Sequence, residues 1–195
     1  AKIINCSWGG YVDMRTDAPY VAYLQNIINT AIDNGVLIVA ASGNDHLDID
    51  VDSIHFVPAS LKNILTVGAS TETDVSASFS NYGKTVGVYA PGTNIFSTDF
   101  PGDQVYNFSG GTSFACPLAA GVAGLVWAKN PTWTSQFVIR QMIETADNVV
   151  NPANRVKYWG RVNEYSTLTK VTVPGIKSTG FSAAGVGSGR VACSE

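Results

Sequence analysis

The chain reads as an α/β protein, a mainly parallel β-sheet flanked by helices. Strand-length apolar runs alternate with stretches of helical periodicity, which implies right-handed crossovers between parallel strands. The run Val36-Leu37-Ile38-Val39-Ala40-Ala41 is apolar on both faces, as a strand buried inside a parallel sheet must be. A long stretch of small apolar residues after Ser113 supplies a helix fit to lie against such a sheet.

Each element follows from local signals. Residues 3–7 form a strand, and the loop 9–17 ends in Thr16-Asp17, an N-cap pair. A helix over 19–34 is opened by Pro19 and closed by Gly35, with Val21, Leu24, Ile28, Ala31 and Ile32 at helical spacing. Strands are expected at 36–41, 64–68 and 86–90. Thr71–Asn81 is polar and rich in turn formers, so it reads as a surface hairpin or loop. Val57-Pro58 is a candidate cis bond. The helix from Ser113 to Lys129 ends before Pro131. It is expected to bury Phe114, Ala115, Leu118, Ala119, Val122, Ala123, Leu125 and Val126, with Pro117 tolerated near its first turn. A second helix over 134–146 buries Phe137, Val138, Met142 and Ile143. Val171–Ile176 reads as a short strand. The small residues of 178–189 then read as linker.

Composition narrows the function classes. With 195 residues, 45% apolar and 14% charged, the chain suffices for one well-packed domain. A net charge of −3 without a basic patch argues against nucleic acid. No apolar run has the length of a membrane span. Three cysteines give an odd count. Cys6 and Cys116 read as core thiols, and Cys193 as a free thiol or half of a bridge.

Two segments carry chemistry. Ser109-Gly110-Gly111-Thr112-Ser113-Phe114-Ala115-Cys116-Pro117 puts a hydroxyl at a helix N-terminus, where free N–H groups favour developing negative charge. A nucleophile that generates an oxyanion needs that setting, although a serine there is more often an N-cap. The strand 36–41 runs into Ser42-Gly43-Asn44, at the carboxyl end where open α/β sheets bind ligands. An Asn44 amide there can donate to an oxyanion beside the Ser113 N–H. On its own, Ser-Gly-Asn is an ordinary turn.

Together, and in this order, the two segments resemble the subtilisin-like serine proteases, the subtilases, most nearly their proteinase-K-like branch. Ile3-Ile4-Asn5-Cys6-Ser7-Trp8-Gly9-Gly10, Pro58-Ala59-Ser60, Thr66-Val67-Gly68-Ala69, Phe79-Ser80-Asn81-Tyr82-Gly83 and Ala90-Pro91-Gly92 recur in the same order, as does the closing segment Lys157–Asn163. The resemblance covers 1–168 as the C-terminal, serine-bearing portion of a three-layer catalytic domain, and leaves 169–195 outside as a tail or linker.

What the resemblance implies can be stated residue by residue. Ser113 attacks the scissile carbonyl of a peptide or protein substrate, and its N–H and Asn44 hold the oxyanion. Ser7, Trp8 and Gly9 pair with the substrate backbone. Ala40, Ala41, Ser42 and Gly43 form the opposite wall of the specificity pocket, a roomy apolar slot given small side chains and no floor carboxylate. Trp8 stands where the family commonly carries leucine, which alters a neighbouring subsite unless it is a plain strand residue. Thr112 orients the turn, and Phe114 packs into the core.

One departure stands out. The family's Asp and His precede its Ser-Gly-Asn strand, and no Asp-Thr-Gly or His-Gly-Thr segment exists here. The two histidines, His46 and His55, read as loop residues. The catalytic Asp and His are therefore expected on a missing N-terminal segment. No cofactor is needed for the chemistry, while family habit allows structural calcium in the full domain and suggests secretion. Asp45, Asp48, Asp50 and Asp52 make an acidic loop, but Gly87 stands where the proteinase-K-like branch often has an aspartate ligand, and no metal residues are assigned. Two alternatives remain: an inactive module binding extended peptides, and a sedolisin-type carboxyl protease, which Asn44 disfavours because that group uses an acidic residue there.

Overall fold

Alternation of buried side chains along the strands sorts the core into two clusters, one on each face of a sheet. In the computed structural model, which describes residues 1–51, 53–148 and 160–170, Leu37, Val39, Leu65, Val67, Val88 and Ala90 point to one cluster. Ile38, Ala40, Val86 and Tyr89 point to the other. A strand's period of two makes this division, except at Val86 and Val88, which lie two apart yet face opposite clusters where the register of their strand shifts; helices cover both sides. The expected fold class is the observed one.

The main sheet has the order β1 (Ile3–Cys6), β3 (Leu37–Ala41), β5 (Leu65–Ser70), β6 (Val86–Pro91), β10 (Gly160–Arg161) and β9 (Asp147–Asn148). Its first five strands are parallel and β9 is antiparallel. Two small antiparallel pairs escaped sequence reading: β2 (Gly10–Asp13) with β4 (Ile54–Val57), and β7 (Ile95–Thr98) with β8 (Tyr106–Ser109). Their strands are short, and β2, β7 and β8 are largely exposed, so no apolar alternation marks them.

Helix α1 (Ala18–Asp33) packs Val21, Leu24 and Ile28 into the second cluster. Asp17 takes its N-cap position without capping. Its carboxylate instead accepts the Asp13 N–H at 3.1 Å. Helix α2 (Thr112–Lys129) crosses the other face. By length and composition alone it could span a membrane, contrary to the sequence count, yet Ala115, Cys116, Ala119, Ala123 and Val126 are fully buried against the sheet. The expected burial of all its apolar residues fails, since Leu118 is 43% and Leu125 is 47% exposed. Phe114 is only half-buried. The reason is geometric: α2 presents one face to the sheet, and β1 beneath it is an edge strand among the described residues.

Helix α3 (Ser135–Glu144) is capped by the Thr134 hydroxyl, which accepts the Phe137 N–H at 3.3 Å. It buries Val138, Ile139 and Met142, with Ile143 partly buried, and leaves Phe137 exposed. Helix α4 (Glu164–Thr169) follows the capping Asn163. Val57-Pro58 is cis, as is Phe100-Pro101. The expected strand 171–176, the tail, Cys193, Asp52 and Lys157–Trp159 lie outside the described residues.

Candidate active site

The strand-to-helix turn before Ser113 is shaped by Gly111, which adopts a φ of +152°, a conformation open mainly to glycine. A Cβ placed there would lie 3.0 Å from Ser113 Oγ, 3.4 Å from Asn44 Nδ2 and 3.7 Å from the Ser113 backbone N. Three groups from two distant segments therefore surround one point, which the missing side chain leaves open.

The amide accounting at the start of α2 is informative. The Thr112 N–H donates to Asn44 Oδ1 at 2.8 Å. Phe114 and Ala115 both donate to the Gly111 carbonyl. The Ser113 N–H has no acceptor among the described residues, and neither has Asn44 Nδ2. Two donors and a hydroxyl thus converge at a helix N-terminus, where the dipole favours negative charge.

Thr112 fixes Asn44. Its hydroxyl donates to Asn44 Oδ1 at 2.9 Å and accepts the Gly43 N–H at 3.1 Å. With Oδ1 bound twice, the carboxamide is oriented so that Nδ2 faces the open point. Beyond the expected orienting of its own turn, the Thr112 hydroxyl reaches the loop from residue 42 to 47.

Pro117 lies inside α2 and lacks the N–H that would meet the Ser113 carbonyl one turn earlier. The Ser7 hydroxyl donates to that carbonyl at 2.8 Å and in turn accepts from Asn5 Nδ2 at 2.9 Å. So β1 is tied directly to the serine. Beyond it, Trp8 is 66% exposed and belongs to neither β1 nor β2, which excludes the reading of a buried strand residue.

Ala40, Ala41, Ser42 and Gly43 are all buried at the end of β3. Asn81, beneath them, has every polar valence filled. Nδ2 donates to the Ser42 carbonyl and the Tyr11 hydroxyl, and Oδ1 accepts from the Asp45 and Leu47 N–H groups. The polar stretch 71–81 predicts a surface loop, whereas Asn81 is fully buried. Its recurrence within Phe79–Gly83 was the available signal.

Neither histidine touches Ser113. His46 packs edge-on to Tyr82 at 5.5 Å, and His55 pairs with Val12 between β4 and β2. Burial pushes both core thiols up, Cys116 to about 12, so neither is a nucleophile. In the acidic loop, Asp50 accepts from the backbone N–H groups of Lys84 and Thr85 and from the Thr85 hydroxyl. Asp48 accepts from the Asp50 N–H, and Asp45 from Tyr11. These carboxylates serve as loop anchors. Among the described residues no group of three His, Cys, Asp or Glu is placed to hold a metal ion.

The family model described as "Subtilase family" matches residues 1–169. The chain belongs to the subtilase family. It is 40% identical over 170 residues to a thermophilic serine proteinase of Bacillus sp. strain AK1, covering 87% of this chain and 38% of that protein. It is 41% identical over 128 residues to Subtilisin Savinase of Lederbergia lenta, covering 66% and 45%. Among solved structures, the patellamide maturation protease PatA superimposes with a TM-score of 0.72 at 31% identity, over 87% of this chain and 62% of that one. A lanthipeptide protease gives a TM-score of 0.76 at 24% identity, over 86% and 60%, a likeness of fold. The chain thus spans less than half the length of these curated subtilase relatives, and the family's substrates are peptides.

Proposed function

We propose that this chain is the C-terminal, serine-bearing portion of a subtilase catalytic domain, nearest the proteinase-K-like branch, and acts in a serine endopeptidase. Residues 1–168 belong to that domain and 169–195 form a tail outside it. Ser113 Oγ attacks the scissile carbonyl, while the Ser113 N–H and Asn44 Nδ2 bind the oxyanion. Removal of one such donor typically costs about 10²–10³ in turnover. Ser7, Trp8 and Gly9 receive the substrate as an added strand, and Ala40 to Gly43 wall the specificity pocket. The observation that carries this reading is the meeting of Ser113 Oγ, Asn44 Nδ2 and the Ser113 N–H around the open position at Gly111.

No general base stands beside Ser113 among the described residues. The Asp and His of the triad therefore belong to a segment outside the chain, packing against edge strand β1 and the exposed Leu118 and Leu125 of α2, surfaces that support this arrangement. By family habit the enzyme is secreted, with structural calcium in the full domain.

A fluorophosphonate probe tests the proposal. The natural polypeptide is expected to be labelled at Ser113, with the label lost in Ser113→Ala. The isolated 195 residues are expected to label poorly. No reaction by the folded natural polypeptide would point instead to an inactive module that binds extended peptides. Two unpaired oxyanion donors argue against that second reading.

A further inference from the structure

Asn5 sits inside β1 between Ile4 and Cys6, although strands disfavour asparagine. Its backbone is locked in the main sheet by pairing with Val39 of β3. A strand's period of two puts Ile3, Asn5 and Ser7 on one side, and Ile3 packs into the cluster that α2 covers. That side looks toward the turn carrying Ser113.

The hydrogens in this corner follow from chemistry alone. The Ser113 carbonyl can only accept, so the Ser7 hydroxyl, 2.8 Å away, commits its one hydrogen there. The Ser7 oxygen is then left as an acceptor. Its contact with the Asn5 side chain at 2.9 Å must come from the amide nitrogen, Nδ2. Ser7 is only half-buried, so a hydroxyl free to rotate would turn to water part of the time. A donor on the Ser7 oxygen restricts that rotation. It also polarises the O–H and strengthens the bond that follows. Pro117 removes the helical donor to the same carbonyl, which leaves this relay to hold it.

We propose that Asn5 is a positioning residue for the nucleophile. Its amide fixes the Ser7 hydroxyl with the hydrogen aimed at the Ser113 carbonyl, and so ties the placement of Ser113 to the sheet. The inference rests on the protease reading above. Asn5 touches no reacting atom and acts only through Ser7.

Asn5→Asp tests the direction of the first bond. A carboxylate has the size of the carboxamide but can only accept, so it draws the Ser7 hydrogen away from the Ser113 carbonyl. The natural polypeptide is assayed on a peptide p-nitroanilide, with rates taken per serine titrated by fluorophosphonate, so misfolded enzyme does not count. Asn5→Asp is expected to lower kcat by about 5–30-fold, the loss for an unpaired and partly buried carbonyl, with KM unchanged. Asn5→Ala removes the donor without drawing the hydrogen away, and loses less. A residue that merely shapes the strand gives the opposite order, since alanine departs further in size. In a Ser7→Ala background, where the relay is already cut, both substitutions leave kcat within about twofold of Ser7→Ala itself. That background also cancels any effect of the added charge. Equal losses in the two backgrounds, or alanine worse than aspartate, overturns the proposal. A wild type that cleaves no peptide and takes no fluorophosphonate brings down the protease reading and this one with it. Cleavage indifferent to residue 5 sinks this one alone.

Discussion

Replacing Ser7 by alanine isolates the tie between β1 and the serine-bearing turn. Pro117 has no N–H to offer the Ser113 carbonyl, and the Ser7 hydroxyl supplies the missing donor at 2.8 Å. Ser113 is half-buried, so the carbonyl left behind is only partly reachable by water. Leaving such an acceptor unpaired costs about 1–2 kcal/mol. If the whole cost falls on the placement of Ser113, kcat drops by about 5–30-fold, at 1.36 kcal/mol per factor of ten. KM should hardly move, because an added substrate strand pairs with the backbone of residues 7–9 and not with the Ser7 side chain. The second variant carries the logic further. Pro117→Ala restores an N–H one turn beyond Ser113, so it should recover part of the loss when combined with Ser7→Ala. The assay is kcat and KM on the natural polypeptide, with the fluorophosphonate labelling rate as an independent reading of nucleophile placement. A Ser7→Ala enzyme that loses thermal stability but labels at the wild-type rate would refute the coupling, as would a double variant with no recovery.

Thr112→Val keeps the shape of the side chain and deletes the hydroxyl that donates to Asn44 and accepts from Gly43. The buried Gly43 N–H is then unpaired, at about 1–3 kcal/mol of stability. Asn44 keeps only the Thr112 N–H, and kcat should fall about tenfold or more; urea unfolding and steady-state kinetics measure the two effects, and an unchanged kcat would contradict the orientation argument. The buried thiol of Cys116 sets a limit at high pH. Burial raises it from its ordinary 9.0 to about 12. The unfolded chain gives up this proton above pH 9 while the folded chain keeps it, so the contribution is complete below 9 and declines between 9 and 12, by up to about 1.4 kcal/mol per pH unit. Urea midpoints at pH 8.5 and 10.5 should therefore drop further in the wild type than in Cys116→Ala. Equal drops would show that the thiol ionises as freely folded as unfolded.

The sequence by itself determined the α/β class, the central strands and helices α1 to α3, and it singled out Ser113 and Asn44, which the structure brings together. Those features are local: an apolar run, a helical period, a glycine before a serine, an asparagine after a strand. It could not assign burial around α2, because periodicity shows that a helix is apolar without showing which face meets the sheet. Tertiary structure alone decided the support of the site. Asn81 looked like a loop residue until it was seen filling four hydrogen bonds under Ser42 to Leu47. Phe56 looked like nothing until Gly9 and Gly43 closed on it. Contacts of this kind join segments tens of residues apart, and a buried carboxamide or ring leaves no periodic trace in the chain that carries it.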